Sequence, residues 1–310
     1  MGESNDDLAI YQHPLAYLIG LEGVALLRAF GGEYDREFTL ARLAEVRRLL
    51  DLADELGDGA TIPAMSVSDG YADWAPNYDQ ANNLLIHIEQ PVVHGMLDAL
   101  PAGVALDAAC GTARHGAYLA SIGHRVIGVD GSAAMLAVAR EKLPGADFIE
   151  ADLDALPLAD DSVDLVVCGL ALTHVPNLRA VMSEFVRVVR PGGHIVVSDL
   201  RGIVGDVTAP VIKRGRDGRP RYIAERARPT SEYISVALEL GLIVRRCEEA
   251  LGQSPFVGDD GVAEHDSPSE HVRDVPPDRW ALHRYAPEAT NVAYRDHPYV
   301  LVCQFQLPDG

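Results

Sequence analysis

Two stretches of this chain place residues where they could do chemistry on a ligand. The first is a small-residue turn, Ala109-Cys110-Gly111-Thr112-Ala113, that follows the apolar run Val104–Ala108. A turn free of bulky side chains lets a ligand approach the main chain, and a helix starting there points free N–H groups at it. The next apolar run, Arg125–Val129, closes on Asp130. An acid about 20 residues beyond such a turn can accept two hydrogen bonds from a ribose diol. The order strand, tight turn, helix, strand, carboxylate is half of a nucleotide-type site. The second stretch, Gly169-Leu170-Ala171-Leu172-Thr173-His174-Val175, follows an apolar strand. Ligands of open α/β sheets bind at that edge. An imidazole there, with an ordinary pKa of about 6.5, suits a general base. Asp199, after the fifth strand-like run, could serve the same end or cap the next turn. His115, inside the first helix, reads as structural.

These residues need a scaffold, and the hydrophobic pattern supplies one. Strand-like runs at Val104–Ala108, Arg125–Val129, Phe148-Ile149, Val163–Gly169 and His194–Ser198 alternate with helical stretches. The fourth run is apolar throughout, as expected of a strand buried on both faces of a parallel sheet. Ser132 is placed to cap a helix through Lys142, and Leu178–Val189 forms another. The alternation predicts a doubly wound, Rossmann-like parallel sheet. Toward the C-terminus, residues 209–227 alternate around Arg216-Asp217-Gly218-Arg219 like a hairpin. Thr230-Ser231-Glu232 opens a helix, Leu242–Cys247 reads as a sixth strand and Pro298–Leu307 as the last. Between these two, residues 252–295 are rich in Pro, Asp and Gly, a long excursion of the kind that forms lids or binding loops.

Ahead of the sheet, residues 1–66 read as a separate helical extension. Pro14 opens a helix that ends at Gly31-Gly32, and a second spans Phe38–Leu56. Two amphipathic helices cannot bury both faces alone, so they should pack on the main domain or on another subunit, a homodimer in the second case. Gly57–Gly70 reads as a linker. In the following SDGYADWAPNYDQ, Tyr71, Trp74 and Tyr78 share one helical face. A further helical pattern, Leu85 to Leu100, carries Pro91 as the start of a new helix.

The turn is not G-x-G-x-x-G, because only Gly111 is a glycine. It resembles instead the first motif, roughly D-x-G-C-G-T-G, of the class I S-adenosylmethionine-dependent methyltransferases: Asp107, Cys110, Gly111 and Thr112 match, while Ala109 and Ala113 stand where the family has glycines. The Tyr71–Tyr78 stretch is similar to the family's Y-D-x-W-A-x-x-Y-D segment, and Arg190-Pro191-Gly192-Gly193 with Ser198-Asp199 to its R-P-G-G-x-x-x-x-S-D. The resemblance is good from Tyr71 to Asp199 and looser from Thr230 onward. It implies a seven-stranded sheet, mostly parallel with an antiparallel last strand beside the fifth. It also implies a cofactor site of Tyr71, Tyr78, Asp107, Ala109, Cys110, Gly111, Asp130, Gly131, Met135, Asp152, Leu153, Gly169 and Leu170. Asp130 takes the ribose there, Asp152 with Leu153 the adenine, and the aromatic faces suit a sulfonium. His174 becomes the candidate catalytic base, and no clustered set of acids suggests a metal.

Composition narrows the alternatives. With 48% hydrophobic and 23% charged residues among 310, an ordinary globular protein is expected, divided as residues 1–66 and a domain at 67–310 with substrate-facing insertions at 201–229 and 252–295. No apolar run reaches the ~18 residues of a membrane span, and the acidic start MGESNDDLAI gives no sign of export. Cys110, Cys168, Cys247 and Cys303 lie far apart in sequence, with neither zinc nor disulfide spacing, which suggests a reducing, cytoplasmic setting. A net charge of −20 disfavours a nucleic-acid partner. The expected activity is methyl transfer from S-adenosyl-L-methionine to an N, O or C nucleophile of a small molecule, in keeping with secondary metabolism, leaving S-adenosyl-L-homocysteine. Two alternatives compete: a protein of this fold that uses the cofactor site without methyl transfer, as regulator or substrate-shaping enzyme, and an NAD-dependent oxidoreductase, for which the turn lacks glycines.

Overall fold

A computed structural model describes residues 9–79, 84–201, 211–212, 219–251 and 279–310. By packing, the chain divides into two compact units, one of residues 1–65, 211–222 and 252–297, the other of residues 66–210, 223–251 and 298–310.

The first unit holds helices α1 (Pro14–Phe30), α2 (Arg36–Asp51) and α3 (Ala53–Leu56) and a small sheet. Strands β1 (Ala9–Gln12) and β2 (Ala60–Met65) pair antiparallel in that sheet, from Ala9 opposite Pro63 to Gln12 opposite Ala60. The expected linker at 57–70 is therefore partly a strand: Ala60, Ile62 and Ala64 alternate inward and are buried. Short strands built on alanine and proline carry too weak an alternation to be read from sequence. The expected hairpin is present as β8 (Val211–Ile212) against β9 (Arg221–Ile223), with Val211 opposite Tyr222. Its tip at Arg216-Asp217-Gly218 lies outside the described residues.

Within the expected excursion, 252–278 lie outside the described residues, but Arg279–His283 (α10) and Pro287–Tyr294 (α11) are helices. Tertiary partners account for them. The Tyr17 hydroxyl of α1 hydrogen-bonds His283 Nε2 at 2.7 Å and the Tyr294 hydroxyl at 2.9 Å. Arg28 donates to the carbonyls of Val292 and Arg295 at the end of α11, which satisfies acceptors that a helix leaves unpaired. Arg42 of α2 joins the fully buried Glu22 to Glu288. Helices of five and eight residues are too short to announce a period, so their packing on α1 decides them.

The second unit is the expected seven-stranded sheet. Its strands are β3 (Val104–Ala108), β4 (Arg125–Asp130), β5 (Asp147–Glu150), β6 (Val163–Gly169), β7 (Val189–Leu200), β10 (Ile243–Leu251) and β11 (Pro298–Gln306), in the order β10-β11-β7-β6-β3-β4-β5. The β7-β6-β3-β4-β5 neighbours are parallel, whereas β11 inserts antiparallel between β7 and β10. Around them lie α4 (Val67–Trp74), α5 (Leu84–Leu97), α6 (Arg114–Ser121), α7 (Ala133–Lys142), α8 (Leu178–Val188) and α9 (Thr230–Glu239). The core joins Leu106, Val166, Cys168 and Phe305 of the sheet to Phe185 and Val188 of α8 and Tyr233 and Ala237 of α9.

Two details differ from expectation. Helix α5 runs through Pro91 instead of restarting there. A proline inside a helix costs a hydrogen bond, but α5 packs on β7, β10 and β11, and that burial carries the chain across the break. The strand expected at His194–Ser198 begins earlier, so that Arg190–Gly193 is already part of β7. The register passes from Val163 opposite Val189 to Leu165 opposite His194, so the extra residues bulge from the ladder.

The turn after β3 is built on unusual backbone. Ala109, Gly111 and Ala113 have φ of 54°, 53° and 61°, the left-handed region, which costs a residue bearing a Cβ about 1–2 kcal/mol. Ala113 starts α6 without a side-chain cap, and Asp107 replaces one: its Oδ2 accepts the Gly116 N–H at 2.7 Å. Ala109 is half-buried against the core, so losing its methyl offsets part of what relieving the strain gains. We expect Ala109→Gly to raise the unfolding free energy by about 0.5 kcal/mol, the strain released less the flexibility glycine adds to the unfolded chain. Urea titration of the two proteins checks this, and a destabilised variant would contradict the strained turn.

Candidate functional site

All parallel strands of the second unit end on the same edge of the sheet, and there the chain encloses a cavity of about 340 Å³. Its walls come from four places: Val67, Ser68, Tyr71 and Tyr78 before the sheet; Ala109 and Gly111 in the turn after β3; Asp130 to Met135 after β4; and Ala151 to Asp154 with Gly169 to Val181 after β5 and β6.

The turn and the acid are joined directly. Gly111 N–H donates to Asp130 Oδ2 at 2.8 Å, and Ser132 N–H to Oδ1 at 2.8 Å. Each carboxylate oxygen keeps a lone pair for a ligand hydroxyl. Burial pushes the Asp130 pKa up, opposed by those two N–H groups. Ser132 also caps α7, accepting Met135 N–H, so one residue holds both the acid and the helix that brings Met135 to the cavity. At Gly111 nothing lies within 4 Å of where a Cβ would stand, so backbone faces open space there. The Gly131 position lies 3.8 Å from Asp152 Oδ1, which brings the two acid-bearing loops side by side.

Across the cavity, α4 and the 3-10 turn Ala75–Asn77 present the aromatic trio. Tyr71 and Tyr78 line the cavity, while Trp74 stacks on Tyr71 at 6.0 Å and meets Tyr78 edge-on at 5.3 Å from outside the lining. The Tyr71 hydroxyl lies 2.8 Å from His174 Nε2, and His174 Nδ1 lies 3.3 Å from the Ala224 carbonyl. A carbonyl only accepts, so Nδ1 carries the proton, Nε2 is the acceptor and Tyr71 donates to it. Burial lowers the His174 pKa below its ordinary 6.5, opposed by the Ala224 carbonyl. Burial, with Tyr78 and Glu225 nearby, raises that of Tyr71 well above 10.

Beneath the loop at Gly169 sits a buried charge network. Glu89 of α5, fully buried, accepts from Arg114 at 2.6 Å, from Ser198 Oγ at 2.7 Å and lies 2.9 Å from His115 Nε2. Burial pushes its carboxyl up, but His115 and Arg114 together hold it at about 2. A Cβ at Gly169 would stand 2.5 Å from His115 Nε2, which requires glycine there. Leu170, left-handed at φ 56°, is pinned by its N–H to the Ser198 carbonyl at 2.9 Å.

Of the residues singled out in sequence, Tyr71, Tyr78, Ala109, Gly111, Asp130, Gly131, Met135, Asp152, Leu153, Gly169, Leu170 and His174 meet at this cavity. Asp107 and Cys110 do not line it. Asp107 is buried behind the turn on Gly116 N–H, its pKa raised to about 6 by burial, and the Cys110 sulfur packs against Gly128 of β4. Asp199 is likewise buried, accepting from Tyr233 and the Leu200 N–H, with burial raising its pKa to about 6. Among the described residues, no group of three His, Cys, Asp or Glu is placed to hold a metal ion. Sequence reading passed over Val67, Ser68, Ala151, Asp154, Pro176, Asn177 and Val181. Val67 and Ser68 lie one helical turn before Tyr71, and the others adjoin stretches already identified, so only neighbourhood could have found them.

Known proteins bear on this site. Residues 106–197 match a family described as a methyltransferase domain. A malonyl-[acyl-carrier protein] O-methyltransferase of Yersinia pestis is 36% identical over 140 residues, 45% of this chain and 52% of that protein. A demethylmenaquinone methyltransferase of Renibacterium salmoninarum is 35% identical over 133 residues, 42% of this chain and 56% of its own. The chain thus spans about half the length of these relatives. Among solved structures, the DhpI–SAH complex superposes with a TM-score of 0.52 at 22% identity, covering 77% of this chain and 94% of that one. An S-adenosylmethionine-dependent methyltransferase from Mesorhizobium loti gives 0.50 at 22%, covering 71% and 97%. Residues 106–197 thus resemble a methyltransferase domain, and the seven-stranded sheet that carries them has the fold of these solved structures.

Proposed function

We propose that this protein transfers a methyl group from S-adenosyl-L-methionine to an N, O or C nucleophile of a small molecule, in the cytoplasm, leaving S-adenosyl-L-homocysteine. The observation that carries the reading is Asp130, whose carboxylate stands at the strand end with one backbone N–H on each oxygen and the open backbone of Gly111 beside it. The names of the relatives, one acting on malonyl-[acyl-carrier protein] and one on demethylmenaquinone, support a small acceptor group.

The residues fit the cofactor. Asp130 would hold the ribose diol, and Asp152 with the Leu153 N–H the adenine, while Gly131 and Met135 close that end. The cavity faces of Tyr71 and Tyr78 suit a sulfonium. When bound, the cofactor supplies a methyl group that is electrophilic without help from the protein. The chain's own tasks are to align the acceptor, exclude water and take a proton where the acceptor carries one. Asp107 and Cys110 act one layer back, by holding the turn. His174 is the base, reached through Tyr71: the phenol oxygen takes the acceptor's proton while its own proton passes to Nε2. Burial keeps the imidazole neutral near pH 7, the state able to accept.

Two outcomes are expected. Asp130→Ala weakens binding of S-adenosylhomocysteine, measured by calorimetry, about 10²–10⁴-fold, the worth of two hydrogen bonds to a charged group. Unchanged affinity would remove the ribose assignment. With an acceptor found by screening for labelled methyl transfer, Tyr71→Phe and His174→Ala each lower kcat by about 10²-fold. The wild-type rate falls as pH drops through the His174 pKa, below 6.5, because protonation removes the base. A flat acid limb would contradict the His174 role, and homocysteine-product binding without any labelled transfer would favour a non-methylating use of the site.

A further inference from the structure

We propose that Cys247 and Cys303 form a covalent modification site, a dithiol that a small disulfide such as glutathione disulfide converts to an intramolecular bridge. The two are 56 residues apart in sequence, yet they stand directly opposite each other in the antiparallel ladder of β10 and β11, with their sulfurs 3.5 Å apart. Directly opposed residues of such a ladder have Cα atoms roughly 4.5–5.5 Å apart, inside the range a disulfide spans. The bridge therefore forms without moving the backbone. The other two cysteines, Cys110 in the turn after β3 and Cys168 on β6, are buried free thiols.

The pair is asymmetric, and that sets the order of events. Cys247 is exposed on the edge strand, whereas Cys303 is fully buried in the core. Burial, reinforced by the neighbouring Cys247, pushes the Cys303 thiol pKa up, so Cys303 stays protonated and inaccessible. Cys247, as its thiolate, attacks one sulfur of glutathione disulfide. That S–S bond breaks and one glutathione leaves with the electron pair. Cys303 sulfur then attacks the Cys247 sulfur, and the second glutathione leaves with the electron pair of the mixed disulfide and takes up the Cys303 proton. Two protein thiols are oxidised and one glutathione disulfide is reduced to two glutathiones. The second step is the slower, since it must deprotonate a buried thiol.

The position gives the bridge a consequence. Strand β10 ends at Leu251 and β11 begins at Pro298, so residues 252–297 connect the two in sequence. A bond from Cys247 to Cys303 ties together the two strands at the base of that excursion and closes a long loop, for which cross-linking removes much unfolded-state entropy. It also fastens the edge strand of the sheet.

The experiment exposes the full-length protein to glutathione disulfide, follows intact mass and free thiols with time, and then records thermal unfolding. The expected result is a transient single-glutathione adduct, then a product lighter by two hydrogens with two thiols lost, whose Tm is about 5 °C or more higher and reverts on reduction. Cys303→Ala should stop at the adduct, and Cys247→Ser should not react. A wild-type adduct that persists, no reaction at all, or bridging that survives Cys247→Ser would each overturn the proposal.

Discussion

The site rests on one hydrogen bond, from the Gly111 N–H to the Asp130 carboxylate. It ties the turn after β3 to the end of β4 and so fixes the distance between open backbone and acid. For the N–H to point that way, the chain must enter the left-handed region at Ala109, Gly111 and Ala113. Two of these carry a methyl group that disfavours it. The surroundings compensate: Asp107 caps α6 from behind, Cys110 N–H donates to the Val129 carbonyl at 2.9 Å, and Thr112 is held by Asp79. Local strain is thus maintained by a rigid frame, a pattern that recurs where backbone must meet a ligand.

The opposite wall depends on a second device of the same kind. Glu89 collects Arg114, His115 and Ser198 into a buried cluster that forbids any side chain at Gly169 and, through Ser198, anchors Leu170. Leu170 too is left-handed. A buried carboxylate with three partners resists rearrangement because removing one leaves charge uncompensated. The cavity floor is therefore rigid, whereas the wall bearing Tyr71 is a short helix whose hydroxyl reaches His174 across the space. The two walls thus differ in build, one fixed by buried charge and strained backbone and the other carried by a single short helix.

Much of this was legible in the sequence, for physical reasons. Strands buried on both faces, such as Val163–Gly169, announce themselves as apolar runs, and Ser132 announces α7 because a cap needs that chemistry. Asp130, Gly111 and His174 could be found from their places at strand ends. Contacts between distant segments were not legible. Glu89 lies on an apolar helix with nothing nearby to mark it. Asp107 matches the family motif yet faces α6 instead of the cavity. Cys247 and Cys303 looked unrelated until the ladder set them side by side. The helices at 279–283 and 287–294 exist because α1 receives them, which no short window can reveal.

The account stands or falls on where the cofactor product sits. A crystal structure with S-adenosylhomocysteine bound tests it directly. It should show both ribose hydroxyls on the Asp130 carboxylate, the adenine between Asp152 and Leu153, and the sulfur facing the Tyr71–His174 pair. Ribose away from Asp130, or a ligand lodged outside the strand-end cavity, would contradict it.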